Sequence, residues 1–568
     1  MTALDWVVLL ATLCSIVGFG LYKGRGSRTV SQYLLANRTM PWYAMGLSIM
    51  ATQASAVTFI STTGQAYADG MRFVQFYFGL PIAMTILCAT AVPLFHRAGV
   101  YTAYEYLERR FDAKTRALAS VVFLIQRGLG VGIALYAPAI VLSIILGWDD
   151  RITTLLIGGL VIVYTATGGI PAVTWTDVLQ MGIIFCGLIL AFIMVIHNLP
   201  SNVSFIDAVY LAGAAGRLNA VVTRFDLNDR YTLWSGLLGG TFLALAYFGC
   251  DQSQVQRYLT GKSIAQSRLG LLFNAMLKVP IQFFILFVGA MVFVFYLFTP
   301  PPLLFQPKAL EAAKQSAAWP DVQTTFDTAA AARTGAAYAF IDARHKNDAR
   351  ALADARGRLE TAQQQLNAAR GQGIAAYLSR SKEKAFNDTN YVFLTFVTHH
   401  LPAGVIGLVI AVIFSAAMSS SSGEINSLAT VTVIDIYKRH IRGGASDRHY
   451  LLVSRIATVF WGLYAVAFAQ YARTLGSLIE AMNMIGSLFY GTLLGVFTLA
   501  VFVKRANGTG AFFGMLAGEA AILSAARFTG ISFLWYNVIG AAVVIAIGSL
   551  ISFMGLQNID LQRKGDER

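Results

Sequence analysis

The chain has 568 residues, 56% of them hydrophobic and only 13% charged, with a mean hydropathy of +0.60. Soluble domains carry roughly 25% charged residues, so a string of soluble domains is excluded, and apolar blocks of about twenty residues match the hydrocarbon core of a bilayer. The formal net charge of +14 does not point to nucleic acid, because Lys23-Gly-Arg25, Lys438-Arg439-His440 and Lys504-Arg505 each follow an apolar span, as cytoplasmic loops do.

In chain order, the apolar runs predict spans near 5–22, 42–66, 72–96, 117–146, 152–170, 173–196, 231–252, 269–298, 398–434, 449–471, 476–503, 508–527 and 530–554. The expectation is thus an all-α polytopic protein of about 13 transmembrane helices. Asp5 precedes the first run and the positive charges follow it, so that run reads as a retained span with its start outside, not a cleaved signal. The C-terminus then falls in the cytoplasm, the basic loops fall inside and the acidic Gly147-Trp148-Asp149-Asp150 turn falls outside. Cys14, Cys88, Cys186 and Cys250 lie in apolar runs without metal-ligand spacing and read as inert.

The second span, Leu47 to Gly64, carries Gln53 among Ser55, Thr58 and Ser61. Such a string either lets helices approach closely or marks a locally unwound helix that offers carbonyls to a cation and a solute; the whole string favours unwinding. The seventh span is interrupted in a similar way, which points to a transporter site at a repeat interface. Asp177 starts the sixth span, Asp251 follows Tyr247-Phe-Gly-Cys250 in the seventh, and Lys278 lies in the eighth. Ionisable groups at membrane depth are functional candidates, although Asp177 and Asp251 could equally sit at the interface. Arg127 could bind an anionic solute, snorkel, or pair with a carboxylate.

Residues 300–390 open with Pro300-Pro301-Pro302 and turn polar and Ala/Gln-rich. They predict a pair of amphipathic helices outside the membrane, dividing the chain into spans at 1–299, an extracytoplasmic insert, spans at 391–555 and a short cytoplasmic tail at 556–568. The ninth span carries Ser419-Ser420-Ser421-Ser422-Gly-Glu424. Consecutive serines supply hard, uncharged oxygens, which suits a monovalent cation that must bind and then leave. There is no G-x-S-x-G, H-E-x-x-H or Walker A lysine, so no enzyme is expected.

On Ser55-Ala-Val-Thr58, Gly168 to Asp177, Asp251-Gln252-Ser-Gln-Val-Gln256-Arg257, Leu401-Pro-Ala-Gly404 with the serine helix, and Asp435-Ile-Tyr437-Lys438, the chain resembles the sodium:solute symporter family. The resemblance spans nearly all of 1–555 outside the insert and implies an inverted five-plus-five repeat core. It implies a sodium site made by the carbonyls of Ala51, Ala54 and Ala416 and the hydroxyls of Ser419 and Ser420. A second sodium site of some members would use Asp177, Ser419 and Ser422, but Gly423 stands where those members carry another serine. The sugar pocket is not kept: Thr58, Tyr77, Leu80 and Asp251 replace its polar set, while its lysine survives as Lys278. The arginine that holds a carboxylate in the sialic-acid branch matches Gly130, about one turn from Arg127.

The resulting expectation is a sodium-coupled symporter of a small organic solute (sugar, polyol, carboxylate or similar), multi-pass in the inner cell membrane. Its solute would bind near Gln53, Ser55, Thr58, Tyr77, Arg127, Asp251 and Lys278. Its partners are the lipid bilayer and the solute, without nucleic acid or an obligate protein partner. A proton-coupled carrier of the same fold and a transporter-like sensor are the alternatives.

Overall fold

A computed structural model of the protein describes residues 1–24, 29–147, 149–381, 385–472 and 477–566; Arg25, Trp148 and Arg568 of the basic and acidic loops lie outside them. Among the described residues the backbone is helical, and Met40 and Gly261 form an isolated bridge.

The first helix, α1 (Ala3–Gly24), is tied down by Asp5, whose Oδ1 accepts the Gly404 N–H at 2.6 Å and the Gly407 N–H at 3.1 Å. After the short α2 (Val30–Leu35), the chain enters α3 (Trp42–Gln53) and α4 (Ala56–Asp69), which meet at a break. Next come α5 (Leu80–Ala89), α6 (Ala91–Ala98), α7 (Ala103–Arg110) and α8 (Ala113–Leu146). The long α9 (Asp150–His197) bends at Gly169, where φ 63 and ψ −165 lie in a region only glycine adopts readily. It is therefore two helices end to end, as the fifth and sixth expected spans require.

Beyond α10 (Phe205–Ala214), α11 (Gly240–Gly249) and α12 (Gln252–Leu259) form a second break, and α13 (Ile264–Phe298) follows. The insert holds α14 (Pro307–Lys314) and a hairpin of α15 (Trp319–His345) and α16 (Ala349–Leu378). The hairpin turns at Asn347, φ 53, and Asp348 caps α16. Then come α17 (Thr389–His400), α18 (Val405–Val431), α19 (Asp447–Ala472), α20 (Leu478–Phe502), α21 (Gly508–Phe528) and α22 (Leu534–Asp566).

Ten helices among the described residues are long and apolar enough to cross a membrane, against the thirteen spans read from hydropathy. The difference has a physical origin. Ser235–Gly249 is apolar but short because the second break cuts it off, and α3 ends at the first break, so that the second and third expected spans contribute the one candidate Ala56–Ala98. The ninth span also begins later than hydropathy suggests, at Val405 instead of 398, since Pro402 and a Gly404 at φ 86 separate it from α17. The insert carries one helix more than the expected pair.

Gly169→Ala should lower the unfolding temperature in detergent, at a cost of roughly 1–3 kcal/mol for a disfavoured backbone conformation. A Cβ there would also lie 2.7 Å from the Tyr33 carbonyl oxygen. Gly182→Ala, which meets nothing within 4 Å, is the control and should be neutral or slightly stabilising.

Candidate functional site

The first break lies among hydroxylated residues. Ser and Thr side chains compete with the helix for backbone hydrogen bonds, and Ala54 leaves the helix at φ −89, ψ 59 while Ser55 is extended. Thr58 Oγ1 donates to the Gln53 carbonyl at 3.3 Å, and Lys278 Nζ donates to the same carbonyl at 3.4 Å. Among the described residues, no backbone N–H outside the helices donates to the Ala51 or Ala54 carbonyl. A helix end buried away from water leaves such oxygens available.

The serine-rich turn of α18 packs against α3 and α4. Ser420 Oγ donates to the Ala416 carbonyl at 2.9 Å, and Ser419 Oγ donates to Asp177 Oδ1. Both hydroxyl protons are thus engaged, and their lone pairs remain free to accept a cation. Ser422 Oγ donates to the Ser419 carbonyl at 3.1 Å.

Asp177 is fully buried within the protein. Its Oδ2 accepts from Ser48 Oγ at 2.5 Å and from Arg257 Nη1 at 2.6 Å. Arg257 comes from α12 and is 1% exposed. A Cβ on Gly423 would stand 2.1 Å from Arg257 Nη2. Gly423 therefore makes room for a guanidinium beside Asp177, and a serine there would collide with it.

Arg127 is buried and paired. Its Nη1 donates to Glu424 Oε1 at 2.8 Å, while Nη2 donates to Asp251 and, at 2.7 Å, to the Tyr490 hydroxyl. Asp251 caps α12, accepting the Ser253 N–H at 2.9 Å and the Ser253 hydroxyl at 2.7 Å. Gly130, in the register that the sialic-acid branch fills with arginine, lies beside this guanidinium: its Cβ would be 3.9 Å from Arg127 Nη1.

A cavity of about 80 Å³ opens at the break. Gln53, Ser55, Thr58, Tyr77 and Arg127 line it. Asp251 and Lys278 do not line it: Asp251 stands behind Arg127, and Lys278 lies under Gln53 and 5.3 Å from the Tyr77 ring centre. Gln126, Tyr247, Glu424, Asn483 and Tyr490 add polar groups to a wall that Phe76, Leu243, Ile479 and Met482 make partly apolar, and hydropathy gave no reason to single out any of the five polar ones except Glu424, beside the serine run.

The family model for the sodium:solute symporter family matches residues 33–320 and 371–518. The chain belongs to the sodium:solute symporter family. It is 26% identical over 560 residues to the sodium/sialic acid symporter NanT of Aliivibrio fischeri, covering 98% of this chain and 94% of that protein. It is 29% identical over 521 residues to human sodium-coupled monocarboxylate transporter 1, covering 91% of this chain and 72% of that protein. A solved structure of a Na+-coupled sialic acid symporter, substrate-bound and outward-open, superposes with a TM-score of 0.75 at 25% identity, covering 97% of this chain and 98% of that one. This symporter is a multi-pass, all-helical membrane transporter with the inverted-repeat core, and it couples sodium to a small organic solute; it is not an enzyme.

Arg127→Gln should leave two buried carboxylates with one cation fewer, and breaking such a pair costs about 3–5 kcal/mol. Thermal unfolding of the purified protein should show that loss. The double variant Arg127→Gln/Asp251→Asn should recover part of it, because the pair is coupled.

Proposed function

We propose that one sodium ion binds between the first break and α18, held by the carbonyls of Ala51, Ala54 and Ala416 and the hydroxyls of Ser419 and Ser420. The observation that carries this reading is the pairing of undonated carbonyls at the break with serines whose protons are already committed. Five neutral oxygens attract an ion by geometry, so it can leave when the geometry changes. The Asp177, Ser419 and Ser422 set does not, on this reading, take a second sodium, because Arg257 already supplies the positive charge there.

The solute occupies the cavity beside the break, on Gln53, Ser55, Thr58 and Tyr77. Arg127 is neutralised by Asp251 and Glu424 and acts as wall and brace, not as a carboxylate anchor. Among the described residues, Gln53 Oε1, Gln126 Oε1 and Glu424 Oε2 have no hydrogen-bond partner, and neither do the donors Asn483 Nδ2 and Arg127 Nε on the same lining. The mixed set favours a solute that both donates and accepts, as the hydroxyls of sugars and polyols do. Sodium tightens the outward-open form and movement of one bundle against the other releases both ligands inside. The protein resides in the inner cell membrane with its N-terminus and insert outside and its C-terminus in the cytoplasm.

Ser420→Ala removes one of the five oxygens with little change in volume. The sodium concentration for half-maximal uptake should rise about tenfold or more, since losing a hydrogen-bond-strength contact to a charge costs about 1.5–3 kcal/mol. The uptake assay uses whichever solute binds in a screen of sugars, polyols, carboxylates and amino acids. Affinity for the solute in saturating sodium should change much less. Unchanged sodium dependence would reduce the serine run to helix packing.

Topology is tested separately. A reporter inserted at the Asn347–Asp348 turn should read extracytoplasmic, and one at Gly443–Gly444 should read cytoplasmic. The same reading at both positions would overturn the orientation.

A further inference from the structure

The insert that the family model passes over, residues 321–370, does more than cover the transporter. Between its hairpin and the ends of α4 and α13 lies a cavity of about 260 Å³, lined in part by Tyr67, Arg217, Phe293, Gln363, Asn367 and Arg370. This cavity is separate from the one at the helix break and lies at the other side of the α4 chain end.

Its charge is unbalanced. Arg370 is paired with Asp388, which also accepts the Phe305 N–H at 2.7 Å. Arg217 and Arg333 are different: among the described residues neither has a carboxylate partner. Arg217 donates to the Ala68 carbonyl and lies 4.4 Å from the Phe293 ring centre. Arg333, on α15, lies 6.0 Å from the same ring. It donates to Gln363 Oε1 at 3.0 Å and to the Tyr296 carbonyl, and it also meets Tyr67.

Arg333 is 1% exposed, and the Nε atoms of both Arg333 and Arg217 have no partner. A buried guanidinium without a counter-charge is costly, and Arg333 is one; Arg217, half-buried and near Asp69 but not ion-paired with it, stands against the same aromatic ring. Gln363, held by Arg333, passes its own Nε2–H to Asn367 Oδ1 at 2.9 Å, so the wall is fixed. A planar carboxylate fits such a place, because arginine donors match its two oxygens.

We propose that this cavity, closed over the outer mouth by the insert hairpin, binds a small carboxylate-type anion, with Arg217 in its wall and Arg333 behind Gln363 supplying the attraction. The ligand is either the carboxylate of a passing organic acid or a free inorganic anion. Both relieve the same excess of positive charge, and an organic acid would thereby be concentrated at the entrance.

The test uses the full purified chain in detergent, without sodium, in N-methylglucamine–HEPES buffer, titrated calorimetrically with pyruvate as its N-methylglucamine salt. Leaving out sodium keeps the coupled site out of the measurement, so failure here does not bear on the transport reading. Saturable binding is expected, weakened about tenfold or more by Arg217→Gln and by Arg333→Gln, and retained better by Arg333→Lys. Chloride added at matching concentration separates the sources. Displacement of pyruvate supports the site with an inorganic anion as occupant, and no displacement supports an organic acid. Arg217 is half-buried at the surface, so its variant reports on binding even if Arg333→Gln unfolds. No saturable binding to the parent chain, or equal binding in Arg217→Gln, would overturn the proposal.

Discussion

Hydrocarbon supplies no hydrogen-bond partner, so every charge buried in this symporter has to be met by another part of the same chain. Two clusters do so. Arg127 meets Asp251 and Glu424, and Arg257 meets Asp177. Each draws on helices distant in sequence, so the clusters also fix which helices pack together. Those pairs leave Glu424 Oε2 without a partner among the described residues; the other buried oxygens with spare lone pairs at the centre are uncharged, helix-end carbonyls and serine hydroxyls. In the proposed mechanism that remainder is the sodium site. A carboxylate-rich site would hold its ion more tightly and release it more slowly, whereas a neutral site responds to small movements of α18 against α3.

The two breaks follow the same logic. Each places unsatisfied backbone where protein, not lipid, surrounds it, which is where irregular backbone is tolerated in a membrane. The first exposes carbonyls; the second places Asp251 at the N-terminus of α12, where its carboxylate caps the helix and holds Arg127. The proposed solute cavity and ion site thus share the residues of one interrupted helix, Ala51 to Thr58. In the proposed mechanism, occupancy of either alters the freedom of that segment, and this is the physical basis for coupling them.

Much of this was legible in the sequence. The polar string of the second span announced a break, and the serine run announced oxygens opposite it, because both are out of place in lipid. The insert stood out by composition. Partner choice was not legible. Arg257 and Asp177 are 80 residues apart and Arg127 and Glu424 are 297 apart, and nothing local connects them. Gly423 read as a missing ligand, whereas its place is filled by the Arg257 guanidinium. Asp177 and Asp251 could be read as interfacial, and only tertiary packing buries them. The span count differed for a related reason: hydropathy counts apolar residues and does not register a helix that stops at Gln53 or Gly249.

The central claim is that an internal guanidinium replaces a second ion, so that a single neutral site carries sodium. Equilibrium binding of radioactive sodium to the purified full-length chain, counted per chain at saturation and without solute, tests it most directly. The account predicts one sodium ion per chain, bound without cooperativity. Two ions per chain would mean that Asp177 holds sodium with Arg257 in place, and that result would contradict the account.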